Sequence, residues 1–374
     1  MAHAYTPGLK VTAHARLLRE RRLPLKGQVL VKAGDAVGAK DVVARTQLPG
    51  NVQTVNIAAK LSIDPAKVPE SLVRPIGTQV EAGELIASGR SLFGLLQQKA
   101  TAPTRGTLES VSGITGQLIL REPPIPVEVD AFVDGRVVEV LPDEGVVIET
   151  EGTFIQGIFG VGGETQGAIA VVTPGPDDEL RSEHLSEAHR GQIVVGGSRV
   201  SYATLMRAKS LGVAAVVVAG FDDRDLRELL GKDLGVAITG SEDLGITLLL
   251  TEGFGAIPMA DRTWKLLKTR EGDAASVSGA TQIRAGVMRP ELLIAGAPRR
   301  TGVAEVAGAT GLEIGCALRV IREPHFGRIG RVVELPPELQ LLDSEASVRV
   351  LVVEFADGGE RAMVPRANVE LISP

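Results

Sequence analysis

The sequence predicts a multidomain chain, mainly β with one α/β domain, and three observations lead there. Its 374 residues exceed what one core of ordinary size organises, at roughly 100–200 residues per domain. Hydrophobic residues make up 44% but aromatics only 3%, so the cores must be built from Val, Ile, Leu and Ala. Val-rich runs punctuated by Gly and Pro continue to about residue 180, where the period changes and helical stretches alternate with strands.

Composition also excludes functions. The single Cys316 rules out an intramolecular disulfide framework and any multi-cysteine zinc or iron–sulfur site, and fits a reducing cytoplasm. The scarcity of aromatics argues against a base-stacking surface for single strands. The net charge of −6 is uneven: residues 1–130 carry 16 basic against 11 acidic side chains, and residues 131–190 carry 3 against 12. No domain is basic enough to hold a phosphate backbone by counterion release alone. The longest apolar run, Val213 to Phe221, is far short of the roughly 20 residues that span a bilayer, and no export signal precedes it. A cytoplasmic location is the expectation.

Residues 1–26 read as an N-terminal arm, whose basic stretch Arg16 to Arg22 leads as a short surface segment into the first strand. An amphipathic arm for a membrane or an acidic partner is the alternative. The next region repeats itself. Gly34-Asp-Ala-Val-Gly-Ala-Lys-Asp-Val-Val-Ala44 returns as Gly77-Thr-Gln-Val-Glu-Ala-Gly-Glu-Leu-Ile-Ala87, each unit a Gly-led turn between strands. A third unit, Thr101-Ala-Pro-Thr-Arg-Gly-Thr-Leu-Glu-Ser-Val111, follows.

These residues resemble the barrel-sandwich hybrid fold of biotinyl and lipoyl domains and of related non-carrier domains, over residues 27–122. In the carrier families the modified Lys sits on a hairpin tip seven residues before the Ala of an Ala-Pro pair. Here that place holds Leu95, and Lys99 is displaced by four residues onto the following strand. The resemblance therefore implies a structural or docking module rather than a swinging arm.

Residues 123–180 continue as a β-rich extension and linker, with strands at Val127–Val133, Gly135–Val140 and Gly145–Glu149. The run Gly157 to Gly163 superficially suggests a phosphate loop. Such a loop needs a helix N-terminus after it, whereas Ala168 to Val172 reads as a strand, so bulged turns are expected. Thr173 to Glu179 marks a boundary.

Residues 181–298 are expected to be an α/β domain containing a βαβ unit, with a strand at 191–195, a helix at 202–211 and a strand at 213–219. A helix at 223–230 with Asp222 or Asp223 as N-cap, strands at 236–239 and 246–250 and a helix at 263–269 follow. Its pattern resembles swivelling β/β/α domains. Ligands of open α/β sheets gather at the carboxyl ends of strands. The anion-binding candidates there are Gly196, Gly197 and Ser198, with Arg284 as an added donor; Glu252, Gly253, Gly255, Thr281 and Arg289 are nearby prospects.

Residues 299–374 give a second resemblance. Ala317-Leu-Arg-Val-Ile-Arg-Glu-Pro-His-Phe-Gly327-Arg-Ile-Gly330-Arg-Val-Val is similar to the KOW motif of transcription elongation factors and ribosomal proteins. The resemblance implies a small SH3-like β-barrel, in which Gly327 and Gly330 suit a tight turn. Arg319, Arg322, Arg328 and Arg331 cluster near that turn as candidates for contact with RNA or protein. The balance of 7 basic against 11 acidic residues over 301–374 favours protein.

No nucleophile-elbow, Walker, Rossmann or zinc motif is present, and no cofactor is called for. His184 and His189 are five apart, the wrong spacing for metal ligands on one helix face. The expected function is a non-enzymatic scaffold or assembly protein acting on another protein or complex. A KOW-type RNA-binding component of the translation or transcription apparatus, and a phosphate-ligand-binding enzyme subunit, stay open as alternatives.

Overall fold

Turn chemistry organises the first part of the chain. Gly34 and Gly77, the leading glycines of the repeat, both take positive φ, +94° and +91°, a conformation that a side chain would strain. Within each unit the acidic residue closes the next turn in the same way. Asp41 Oδ2 accepts the Gly38 N–H at 2.7 Å, and Glu84 Oε2 accepts the Glu81 N–H at 3.0 Å. The apolar positions repeat too, with Val37 and Val80, then Ala44 and Ala87, all buried. The sequence repeat is therefore a repeat of hydrogen bonds and of core positions.

The computed structural model describes residues 9–90, 97–231, 244–281, 289–297, 314–322, 324–336, 339–341 and 347–371. The chain is mainly β, with several sheets. The first region holds a sheet of Val52–Asn56, Gln117–Arg121, Gly106–Val111 and Gln79–Val80, a sheet of Ile125–Asp130, Val42–Leu48 and Gln28–Val29, and the pair Leu85–Arg90 and Gln97–Thr101. Helices α1 (Ile57–Leu61) and α2 (Val68–Ser71) pack on a core that includes Leu61, Val68, Ile86, Leu108 and Leu120. Lys99 stands exposed on its strand opposite Ser88. Leu95 lies outside the described residues.

A large sheet of twelve described strands forms the centre of the molecule. Four of them, Glu164–Val171, Ile193–Val195, Ala215–Phe221 and Thr247–Phe254, run parallel as neighbours in chain order. Helix α3 (Tyr202–Ser210), with Ser201 accepting from the Thr204 N–H, makes the expected crossover between the second and third. Helix α4 (Asp223–Leu230) follows, its N-cap resolved as Asp222 and its end marked by Gly231 at φ +63°. Helix α5 (Asp261–Thr269) starts two residues before the expected position and packs Trp264, Leu266 and Leu267 on the opposite face of the sheet. The expected strand at 236–239 lies outside the described residues.

The basic stretch near the N-terminus does not lead into a strand but is part of one, the twelve-residue, half-exposed Val11–Arg22, paired antiparallel with Gly145–Gln156. Alternation explains the difference: Arg19 and Arg21 reach across the sheet to Glu291 and Glu164, so the charges decorate a strand instead of breaking one. The Gly-rich run holds the strand Phe159–Val161, then Gly162 and Gly163 at positive φ before the next strand. Thr173 to Glu179 connects two adjacent parallel strands of this sheet.

The C-terminal strands Ala317–Val320, Ile329–Glu334, Leu339–Leu341, Ser347–Phe355, Arg361–Pro365 and Val369–Leu371 form a separate antiparallel sheet around Leu318, Val332, Leu351, Val353 and Phe355. A single 3₁₀ turn, Arg366–Asn368, precedes the last strand. Gly327 lies in a turn at φ +82°. Gly330 lies inside a strand, where a Cβ would fall 2.5 Å from the Glu354 carbonyl oxygen. The second glycine thus answers to strand packing rather than to the turn. No helix of the described residues is long and apolar enough to cross a membrane.

Candidate functional site

The turn at Gly196–Ser198 is built against a loop, not an open cleft. Gly196 donates its N–H to the Val217 carbonyl and Ser198 to the Asp178 carbonyl, each at 2.9 Å. A Cβ on Gly197 would meet the Gly175 carbonyl oxygen at 2.4 Å. Two of the three backbone donors that an anion would use are thus directed at carbonyls. Thr281 is likewise engaged, its hydroxyl donating to the Gly160 carbonyl at 2.9 Å and accepting the Gly160 N–H at 2.8 Å. Arg284 lies outside the described residues.

The four arginines near the second glycine motif do not share one surface. Arg322 and Arg331 are exposed. Arg328 forms two hydrogen bonds to Asp357, at 2.7 and 3.0 Å, and one to Glu360 at 2.8 Å, while its guanidinium lies 3.7 Å from the Phe355 ring centroid. Those bonds raise the Arg328 pKa and hold Asp357 below the ordinary carboxylate range. Arg319 is 1% exposed and faces the interior.

Arg319 is buried because it sits where three parts of the chain meet. It lies on Ala317–Val320, directly opposite Glu370 on Val369–Leu371, with Nη1 3.3 Å from Glu370 Oε1. Its Nη2 donates to Glu252 Oε2 at 2.9 Å, near the carboxyl end of the parallel strand Thr247–Phe254. Arg289 pairs with Glu370 Oε2 at 2.5 Å, and the Leu9 N–H donates to Glu370 Oε1 at 2.9 Å. Glu252 Oε1 accepts the Ala260 N–H at 3.2 Å, just before α5. Burial pulls the Arg319 pKa down and the two carboxylates oppose it; a guanidinium remains charged under these conditions.

Apolar contacts seal the same joint. Ile321 belongs to the core of the α/β region, with Phe326 packed against it. The Phe326 ring lies tilted against that of Phe254 with centroids 6.1 Å apart, and Phe254 lies likewise against Phe159 at 5.4 Å. The C-terminal sheet thereby covers the end of a parallel strand where ligands of such sheets usually gather. A small cavity of about 70 Å³ remains inside, lined by Leu9, Thr251, Arg262, Thr263, Arg319 and Glu370 among others.

A wider cleft of about 540 Å³ lies between the turn Gly38–Asp41 and the face of the large sheet. Its polar groups are largely spent on the protein: Thr150 donates to the Asp134 carbonyl, Ser276 to the Phe132 carbonyl, and Asp134 accepts from the Ala39 N–H. His184 and His189 each accept a backbone N–H through Nδ1, from Arg181 and Ser186, in short 3₁₀ turns. Among the described residues no group of three His, Cys, Asp or Glu could hold a metal ion.

No protein-family model matches the chain, and no curated protein matches it either.

The sequence signalled Glu252 and Arg289 as prospects near a strand end, and Arg319 as a surface contact. It carried no signal for their meeting. Arg319 and Glu252 are 67 positions apart, Arg319 and Glu370 are 51 apart, and no local spacing brings them together.

Proposed function

We propose that this chain is a non-enzymatic scaffold that acts by docking other proteins on modules held in a set relative geometry. The observation that carries this reading is the buried joint of Arg319 with Glu252 and Glu370. Charges removed from water cost several kcal/mol each unless their partners are well placed, so such a joint is a demanding way to attach one module to another. It holds a single arrangement because any slippage leaves a buried charge unpaired. A flexible tether would serve if the modules worked independently; a scaffold requires that its faces keep their spacing.

Of the four candidate arginines, RNA contact is left with exposed Arg322 and Arg331, since Arg319 is interior and Arg328 is engaged by two carboxylates. A phosphate-ligand site at Gly196–Ser198 finds the Gly196 and Ser198 donors directed elsewhere. Both alternatives therefore draw less support than docking.

The test is recovery of the tagged full chain from its native cells, with and without ribonuclease. A stoichiometric protein partner that survives ribonuclease is the expected result. Loss of every partner on ribonuclease treatment would overturn the proposal in favour of RNA contact.

A further inference from the structure

The cavity inside the joint contains donors that the joint itself does not use. Arg319 Nε and the Thr251 hydroxyl are both fully enclosed, and neither has a hydrogen-bond partner. Thr251 is 2% exposed and Arg319 1%, and both line the cavity. A buried donor left unmade costs about 1–3 kcal/mol, so two at one small cavity call for an acceptor. Helix α5, nine residues long, begins at the same place with Ala260 as N-cap, whose own side chain makes no capping bond and whose N–H goes to Glu252 Oε1. Arg262 and Thr263 of its first turn line the cavity, and first-turn N–H groups have no partner within a helix.

Charge points the same way. Glu252 and Glu370 also face this space, but Arg319 and Arg289 pair with them. Arg262 lines the cavity with no ion-pair partner among the described residues, leaving one positive charge in excess. Asp261, at the start of the helix, is exposed and paired with Lys265 at 2.9 Å. The volume of about 70 Å³ is far below the several hundred Å³ of sites for larger organic ligands. It suits one small ion.

We infer that this cavity binds a small oxyanion, of the size and charge of inorganic phosphate, between the first turn of α5, Arg262, Thr251 and Arg319. The bound ion accepts from Arg319 Nε, the Thr251 hydroxyl and the free N–H groups of the helix, and its charge offsets that of Arg262. Because its ligands come from the α/β region and the C-terminal module together, the ion strengthens the attachment between them. This inference does not depend on the chain being a scaffold.

Titration calorimetry of the full chain with inorganic phosphate, at constant ionic strength, tests the site, with acetate as a second probe. Saturable one-site binding of phosphate is expected, with a melting temperature that climbs with the logarithm of phosphate concentration. R262Q and T251V, checked for folding by circular dichroism, should each weaken binding, R262Q by about tenfold. R331Q, which alters an exposed arginine away from the cavity, should bind as the wild type does. Absence of saturable binding, or binding that R262Q and T251V leave unchanged, would overturn the inference, as would equal weakening by R331Q. Tighter binding of acetate than of phosphate would overturn the assignment of a tetrahedral ion.

Discussion

Gly327 lies against the ring of Phe254 so closely that a Cβ at Gly327 would be 2.4 Å from Phe254 Cδ2. On the other side of the same contact, a Cβ on Gly253 would be 2.6 Å from the Gly327 carbonyl oxygen. The C-terminal module therefore meets the α/β region backbone to backbone, with the aromatic rings of Phe254 and Phe326 beside it.

G327A combines a strained φ of +82° with that clash, and the Phe254 ring is held by Phe159 and Phe326. We expect a loss of about 1–3 kcal/mol from the backbone alone. The loss should concentrate at the joint. Limited proteolysis should then release the C-terminal module before the rest of the chain is cut; unchanged proteolysis would argue that the contact is dispensable.

R319M leaves Glu252 without its guanidinium partner and strips one from Glu370. Breaking a buried pair in this way costs about 3–5 kcal/mol. Adding E252Q to R319M should recover part of that loss, because one of the stranded charges is then gone. Urea denaturation of the wild type, both single variants and the double variant measures the coupling. Strict additivity would mean that the two side chains do not interact.

The repeated turns make a paired prediction. D41A removes the acceptor of the Gly38 N–H and E84A that of the Glu81 N–H, so each should cost about 1 kcal/mol. Similar losses by thermal denaturation are expected because the two bonds are equivalent. A large effect at one turn and none at the other would count against the structural repeat.

Glu291 supplies the pH dependence. Arg19 donates to both of its oxygens, at 2.8 and 2.6 Å, yet burial outweighs that attraction and raises the Glu291 pKa above its ordinary value of 4.5. The folded chain then holds this proton more tightly than the unfolded chain. Stability from this group rises as pH falls through the raised value, and the gain is complete below the ordinary one. Relative to E291Q, the wild type should therefore gain stability as pH is lowered through the raised value toward 4.5, read from urea midpoints. A difference that does not change with pH would remove this assignment.

Much of the local structure was legible in the sequence because its causes are local. The Gly-led repeat at 34–44 and 77–87 specifies turns through φ and through an acidic acceptor three residues on. The cap Asp222 marks a helix start by the same kind of short-range hydrogen bond. The βαβ unit follows from a change of apolar period together with the preference of crossovers. Where the sequence misled, a long-range partner decided. Arg16 to Arg22 looked like a solvated segment until Glu291, Glu164 and Glu149 supplied counter-charges across the sheet.

The four arginines near Gly327 show the same division. Their proximity in sequence is real, but a strand turns alternate side chains to opposite faces, and only the packing of the module shows which face is buried. Arg319 points to the interior because Glu252 and Glu370 are there to receive it. The sequence by itself determined the turns, a helix cap, the mainly β character and the parallel unit, each through interactions a few residues long. Tertiary structure alone decided the joint and its cavity, because burying a charge depends on partners that come from distant parts of the chain.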